Sequence, residues 1–285
     1  MNKPIDHHYV PRFYLSKWCG ADNKIQYFRR INNQLISSRI SPKNTAFEPN
    51  LYSLEHVSSE EEQIIEKFLN ENIDSPASRV LDKMITGGIE KLSIEERKSF
   101  GKFLISLRYR GPKSVSDIRS DGFDEVMKML VDGQEEYEAL RTSDEYPTTF
   151  KEFAEQTHPG LAQNFGIEQL SSWMCDSGNI DHIAKMHWWV AEIGDAGFDL
   201  LTSDHPSVYT LGVGHPRCII ALALGPDKIF FASNNPAIED QIMRCSYNKI
   251  VKHFNTSVVS QAFDKVYAKD EKQYRFIKNR LKKLI

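Results

Sequence analysis

A chain of 285 residues with 40% hydrophobic, 11% aromatic and 26% charged side chains holds enough apolar material to bury a core, which excludes an intrinsically disordered protein. The net charge of −3 and a pI near 6.3 argue against a protein that coats nucleic acid with a basic surface. The longest apolar run, residues 218–224, falls far short of the ~20 residues a membrane-spanning helix needs, and no apolar signal segment opens the chain, so a cytoplasmic protein with no membrane partner is expected.

The N-terminal quarter reads as strands and turns. Residues 24–28 form an alternating run after the turn at 20–23, Asn32-Asn33 signals a tight turn, and residues 34–40 supply the return strand of a hairpin. Residues 42–49 read as a loop and 50–54 as a short extended piece. Ser59 opens a helical segment in which Ile64, Ile65, Phe68, Leu69 and Ile73 recur at helical spacing. Pro76 interrupts this segment, and Val80, Leu81 and Met84 resume it as far as Gly87-Gly88. Ser93-x-x-Glu96 is a capping box opening a helix that carries Phe100, Phe103, Leu104 and Leu107 and stops at Gly111-Pro112.

Residues 113–166 are polar and acidic, with a second capping pattern at Thr149-x-x-Glu152, and read as short surface helices forming an insertion or a lid over a cleft. Beyond them, residues 188–193 and 198–202 read as two strands around a turn at 194–197. Residues 208–211, 218–224 and 228–232 read as three more. Asn235-Pro236 opens a helix, and helical pattern continues with breaks to Ile285. Strands near both ends with helices between them indicate an α+β fold, mixed or antiparallel, in which the terminal strands share a sheet and residues 1–285 form a single domain.

The block His7-His8-Tyr9-Val10-Pro11-Arg12-Phe13-Tyr14-Leu15 concentrates chemistry. Adjacent histidines point to opposite sides of an extended chain, so one can face a cleft while the other packs. Imidazole is a common general acid or base and a common metal ligand. Pro11 fixes its own φ and extends Val10, and the aromatics anchor the block. A purely structural strand with histidines as polar filler is the competing explanation.

This block resembles the opening motif of a widespread, mostly bacterial family known as domain of unknown function 4238. Other stretches fit the same pattern: Asn50-Leu51-Tyr52-Ser53, the helix end from Leu104 to Pro112, Leu201-Thr202-Ser203-Asp204-x-Pro206, and Asn255. Leu222-Ala223-Leu224-Gly225-Pro226 departs from the Pro-Leu-Ser-Pro-like run found there. The family name implies no activity, so chemistry has to be argued from residues.

Asp204, at the end of a strand before a proline, can orient a histidine, bind metal, serve as a base or accept local backbone amides. Arg108 and Arg110 suit phosphate or carboxylate recognition, or the helix C-terminal dipole. Arg12 and the pair Arg29-Arg30 add positive charge near the signature.

The expected catalytic set is therefore His7, His8 and Asp204, with Arg12, Arg108, Arg110, Ser203 and Asn255 on the ligand. Metal spacing is poor: His182 and His187 are off a common helix face, and a divalent metal would need distant segments such as His7 or His8 with Asp204 or His205. Cys19, Cys175, Cys218 and Cys245 form no C-x-x-C pair and read as buried free thiols of a reducing cytoplasm. Gly212-Val213-Gly214 reads as a turn, and the basic run 278–283 as a solvated helix face. A hydrolase acting on a phosphoester, a nuclease or nucleotide hydrolase, is the leading expectation. A non-catalytic module that binds an anionic small molecule, a nucleotide or a peptide is the alternative, and a structural protein acting by partner contact is the third.

Overall fold

The computed structural model describes residues 6–58, 60–194 and 196–282. Near the N-terminus, Asn32 and Asn33 take φ of 48° and 62°, a pair of left-handed residues that asparagine tolerates better than most. They close the expected hairpin: strand β2 (Ile25–Ile31) pairs in full antiparallel register with β3 (Gln34–Ile40). Before it lie β1 (Asp6–His8) and one helical turn, α1 (Arg12–Leu15). After it, β4 (Phe47–Pro49) returns to pair with β1, so the 42–49 segment is not all loop.

A single run of helical backbone follows: α2 (Ile64–Phe68), a π-helical stretch (Leu69–Asp74) and α3 (Ser75–Ile85). Ser59, the expected start, lies outside the described residues. Pro76 does not break the run, because it sits in the first turn after the widened π stretch, where a missing N–H is tolerated. Helix α4 (Ile94–Tyr109) starts at the expected box: Ser93 Oγ accepts the Glu96 amide at 3.2 Å and the Glu96 carboxylate accepts the Ser93 amide at 2.9 Å. Such a cap contributes about 1 kcal/mol.

Residues 113–166 are more ordered than short surface helices. They contribute the long α5 (Pro112–Asp132), then α6 (Gln134–Leu140), α7 (Phe150–Thr157, capped by Thr149) and the start of α8 (Leu161–Met174). Helices α5 and α8 cross at Gly122 and Gly166, and a Cβ on Gly122 would lie 2.7 Å from the Gly166 backbone. Helix α9 (Ser177–Lys185) completes the helical region.

The strands that follow are β5 (His187–Glu192), β6 (Thr202–Ser203), β7 (Val208–Tyr209), β8 (Ile219–Ala223) and β9 (Lys228–Ser233). Then come α10 (Ala237–Met243), α11 (Tyr247–Gln261), β10 (Lys265–Ala268) and α12 (Tyr274–Lys278). Two antiparallel four-stranded sheets result, ordered β3-β2-β10-β6 and β5-β9-β8-β7. The fold is α+β, and N- and C-terminal strands share a sheet as expected.

Two details differ from expectation. Residues 198–202 do not form a hairpin with β5; their amides are taken one by one, Leu200 N–H by the Pro226 carbonyl and Leu201 N–H by Asn255 Oδ1. Strand β10 was expected to be helix, and instead it is an interior strand between β2 and β6. The principal core joins α4 to the second sheet. Phe100 packs on Phe230 at 5.3 Å and Trp188 meets Phe230 edge-on at 4.9 Å and 87°. Each such buried ring contributes roughly 1.5–3 kcal/mol. Among the described residues no helix is long and apolar enough to cross a membrane.

Candidate functional site

The signature divides between anchor and site. Tyr14 and Trp18 are fully buried, with the Tyr14 hydroxyl 3.0 Å from Thr202 Oγ1 and Trp18 Nε1 donating to the Leu200 carbonyl at 2.8 Å. Pro11, with φ −61° and ψ 140°, ends the extended segment and starts α1. Within β1 the alternation of an extended chain sends His7 inward and leaves His8 at the surface of a cleft.

His7 is fully buried and both its nitrogens are engaged. Nδ1 accepts the Tyr52 amide at 3.0 Å, so Nε2 carries the proton and donates to Gln63 Oε1 at 2.5 Å. Its ring stacks on Tyr52 at 5.4 Å and 9°. Burial holds its pKa below the ordinary histidine value, which keeps it neutral. His8 is half-buried, and its Nε2 lies 3.3 Å from the Lys43 carbonyl. A carbonyl only accepts, so Nε2 bears the proton and Nδ1 the lone pair. Burial lowers the pKa of His8 too, against the Lys43 carbonyl and with the help of Arg12.

The cleft beside His8 has a volume of about 900 Å³. Its floor is the helical run α2–π–α3, which presents Glu66, Asn70, Asp74 and Ser78 at four-residue spacing. Its rim carries four exposed cations, Arg12, Lys43, Lys67 and Arg79. Glu66 is the unusual group. One carboxyl oxygen, Oε2, is shielded from solvent and has no hydrogen-bond partner. Burial pushes its pKa up to about 7, while the Arg110 guanidinium pulls the other way and Asp74 reinforces the rise.

Arg110 lies behind this floor, 1% exposed. It makes a bidentate pair with Asp74, at 2.7 and 3.1 Å, and donates to the His8 carbonyl at 2.9 Å. Burial works against its charge, but the Asp74 carboxylate more than offsets this, so its pKa is raised. Arg110 thus fixes the backbone of His8 and the position of Asp74, with no nitrogen at the cleft surface for a phosphate.

The other expected site residues are placed elsewhere. Asp204 does not meet the imidazoles: its Oδ1 accepts the amide of Phe263 at 2.9 Å and its Oδ2 those of Asp264 and Lys265 at 2.6 and 2.8 Å. Burial pushes its carboxyl up to about 6 against the pull of those three amides. Ser203 Oγ donates to the His205 carbonyl at 2.9 Å. Asn255 accepts the Leu201 amide and donates to the Asp199 carbonyl and to Gln273. These three tie the terminal sheet together and do not line the cleft.

Arg108 diverges from Arg110 and lies over the Tyr209 ring at 4.6 Å. Arg29 pairs with Asp264, and Arg30 is buried against C-terminal carbonyls, away from the cleft. The helices of 113–166 contribute no lining residue to the cleft. His182 and His187 do face a common cavity, on α9 and β5, but each has its own partner, Asn234 at 2.8 Å and Glu239 at 2.6 Å. Among the described residues no group of three or more His, Cys, Asp or Glu side chains is arranged to hold a metal ion. The four cysteines are free thiols, but of the four only Cys218 is buried as expected; Cys19, Cys175 and Cys245 are half-buried.

Of the residues expected on the ligand or in catalysis, His8 and Arg12 line the cleft and Arg110 lies behind it, while Glu66, Asp74 and Gln63 were not among those expected. The four-residue repeat of polar side chains from Glu66 to Ser78 was the available signal.

The family model for proteins of unknown function DUF4238 matches residues 6–272. The chain belongs to that family. The match takes in β1, the cleft helices and the C-terminal sheet, so cleft and scaffold lie within the family's own domain. No curated protein and no solved structure matches the chain.

Proposed function

We propose that this member of the DUF4238 family is a hydrolase acting on the phosphoester of a small anionic substrate, such as a nucleotide, in the His8–Glu66 cleft. The observation that carries the reading is Glu66, a carboxyl held near neutrality with one unpartnered oxygen in a polar cleft. A neutral imidazole lining the same cleft as a carboxyl that keeps its proton near pH 7 gives a base and an acid whose pKa values have been moved in opposite directions. His8 Nδ1 takes the proton of the attacking water as its oxygen bonds to phosphorus. The bond to the leaving oxygen breaks, and Glu66 gives that oxygen its proton. Arg12, Arg79 and Lys43 hold the phosphate charge.

The test is turnover of a panel of nucleotides, RNA and DNA, with and without divalent metals, by the purified chain and by His8→Ala and Glu66→Gln. Turnover that falls at least about 100-fold in both variants supports the reading. Turnover that survives both overturns it.

One observation favours a second reading. The four cations of the rim are exposed and the 113–166 helices do not cover the cleft, so water is not excluded from it. A binding module for the same anionic ligands uses those cations without chemistry. Thermal stabilisation by a nucleotide with no product formed supports that reading over hydrolysis.

A further inference from the structure

On the other side of the α4 C-terminus from the cleft lies a second cavity, of about 390 Å³, which shares no lining residue with the first. That volume is within the roughly 300–1,000 Å³ range of small-molecule sites. Helix α4 contributes Arg108 and Tyr109, the end of α8 contributes Trp173, and β7 contributes Tyr209.

Three features here have no internal explanation. The Tyr209 hydroxyl is shielded from solvent and has no hydrogen-bond partner, and a buried polar group left so costs about 1–3 kcal/mol. The Arg108 guanidinium is stacked on the Tyr209 ring at 4.6 Å, yet it has no carboxylate or carbonyl partner among the described residues. Stacking orients the guanidinium plane and leaves its N–H fork for a ligand. Trp173 is 43% exposed, large apolar area for an indole, and its ring is 6.4 Å from that of Tyr109.

The one carboxylate on the wall, Asp176, is turned to the start of α9. There it accepts the Gly178 and Asn179 amides and the Asn179 side chain. It does not compensate Arg108. The phenol of Tyr209 remains a donor throughout the working pH range, because burial raises its pKa.

From this geometry we infer that the cavity between α4, α8 and β7 is a second binding site, for a small planar aromatic molecule carrying one carboxylate or phosphate. The indole of Trp173 and the ring of Tyr109 supply the face for the aromatic ring. Arg108 pairs with the anion, and the Tyr209 hydroxyl gives it a hydrogen bond. The inference does not depend on the chemistry of the His8–Glu66 cleft.

Calorimetric titration of the full chain with benzoate and with adenosine monophosphate tests it, with adenosine and inorganic phosphate as fragments. At least one of the two acids is expected to bind at least 10-fold more tightly than either fragment; which of them does so identifies carboxylate or phosphate as the anion. Arg108→Gln, at an exposed position that should not affect folding, is expected to weaken that binding at least 10-fold. Tyr209→Phe keeps the ring under Arg108 and should weaken it about 3- to 10-fold. Because the His8–Glu66 cleft is itself proposed to take nucleotides through Arg12, each titration is repeated in Arg12→Ala, which removes that event; binding in the cavity between α4, α8 and β7 should persist there with the same affinity. Failure of both acids to bind at millimolar concentration overturns the inference. Unchanged affinity in both Arg108→Gln and Tyr209→Phe does so as well, as does loss of all binding in Arg12→Ala.

Discussion

The Tyr52 hydroxyl donates a 2.6 Å hydrogen bond to the carbonyl of Arg110, the residue that ends α4. The amide of the same tyrosine holds His7, and the side chain of the same arginine holds the His8 carbonyl. The two histidines are thus fixed from both sides by one pair of residues. Tyr52→Phe keeps the ring on His7 and leaves a carbonyl behind it unsatisfied. It should cost about 1–2 kcal/mol in urea denaturation, with the larger effect on the anion affinity of the cleft.

His7 and His8 should separate cleanly on mutation. His7→Ala removes two buried hydrogen bonds and a stacked ring, and is expected to cost roughly 3 kcal/mol of stability. His8→Ala should cost under about 1 kcal/mol, since His8 is half-buried with one long contact, yet abolish turnover. Denaturation midpoints alongside rates decide it; a stable, inactive His7→Ala would reverse the assignment of the two rings.

Glu66 gives a pH dependence with a definite sign. Its folded pKa, about 7, is above the ordinary glutamate value, so the folded state binds more protons than the unfolded one between the two. The stability this group contributes is fully present below the ordinary glutamate pKa and is lost as pH rises through 7. Melting temperatures between pH 5 and 8 should therefore fall less steeply with rising pH in Glu66→Gln than in the parent. The rate profile should be bell-shaped: activity rises as His8 loses its proton below the ordinary histidine pKa and falls as Glu66 loses its own near pH 7.

Asp204 is predicted to act on the fold alone. Asp204→Ala strands three backbone amides at the entry to β10, at an expected cost of about 3–5 kcal/mol. Hydrogen exchange should show protection lost first at 263–268. A variant that keeps its stability but loses anion binding would instead put Asp204 in the site.

Gly122→Ala and Gly166→Ala probe the helix crossing. A Cβ at Gly166 would run into the Ile118 carbonyl, which is backbone and cannot swing aside. Each variant should lose about 2–4 kcal/mol by thermal or urea unfolding, since overpacking here separates α5 from α8.

The elements legible in the sequence were those with a local cause. Asn32-Asn33 fixes a hairpin because few other residues accept two successive positive φ angles, and Ser93 with Glu96 marks a helix start because the pair satisfies two amides. Strand β10 was hidden because Val266, Tyr267 and Ala268 are all buried, so an interior strand of four residues shows no alternation. The 198–202 segment showed strand-like apolarity that is spent on irregular contacts. At the site, His8 was marked by the rigid, aromatic block around it. Glu66 was not, because an acid on a helix is by default solvated, and its raised pKa comes from a burial that only the packing of distant segments creates, reinforced by Asp74 and opposed by Arg110. Asp204 showed the reverse: its strand-end position suggested chemistry, and its three amide partners are more than fifty residues further along the chain.

The pairing of β2 with β10, in which Arg29 lies opposite Lys265, also sets the order of events during synthesis. At about 5–20 residues per second, a ribosome needs roughly 10–50 s to make the intervening chain. During that time one edge of the N-terminal hairpin has no strand to pair with, while the α4 and α5 helices, built from local contacts, can already form. Translation pauses anywhere between the hairpin and residue 265 should therefore lengthen the exposure of that edge, and aggregation of nascent chains should respond to codon changes in that stretch more than to changes after residue 268.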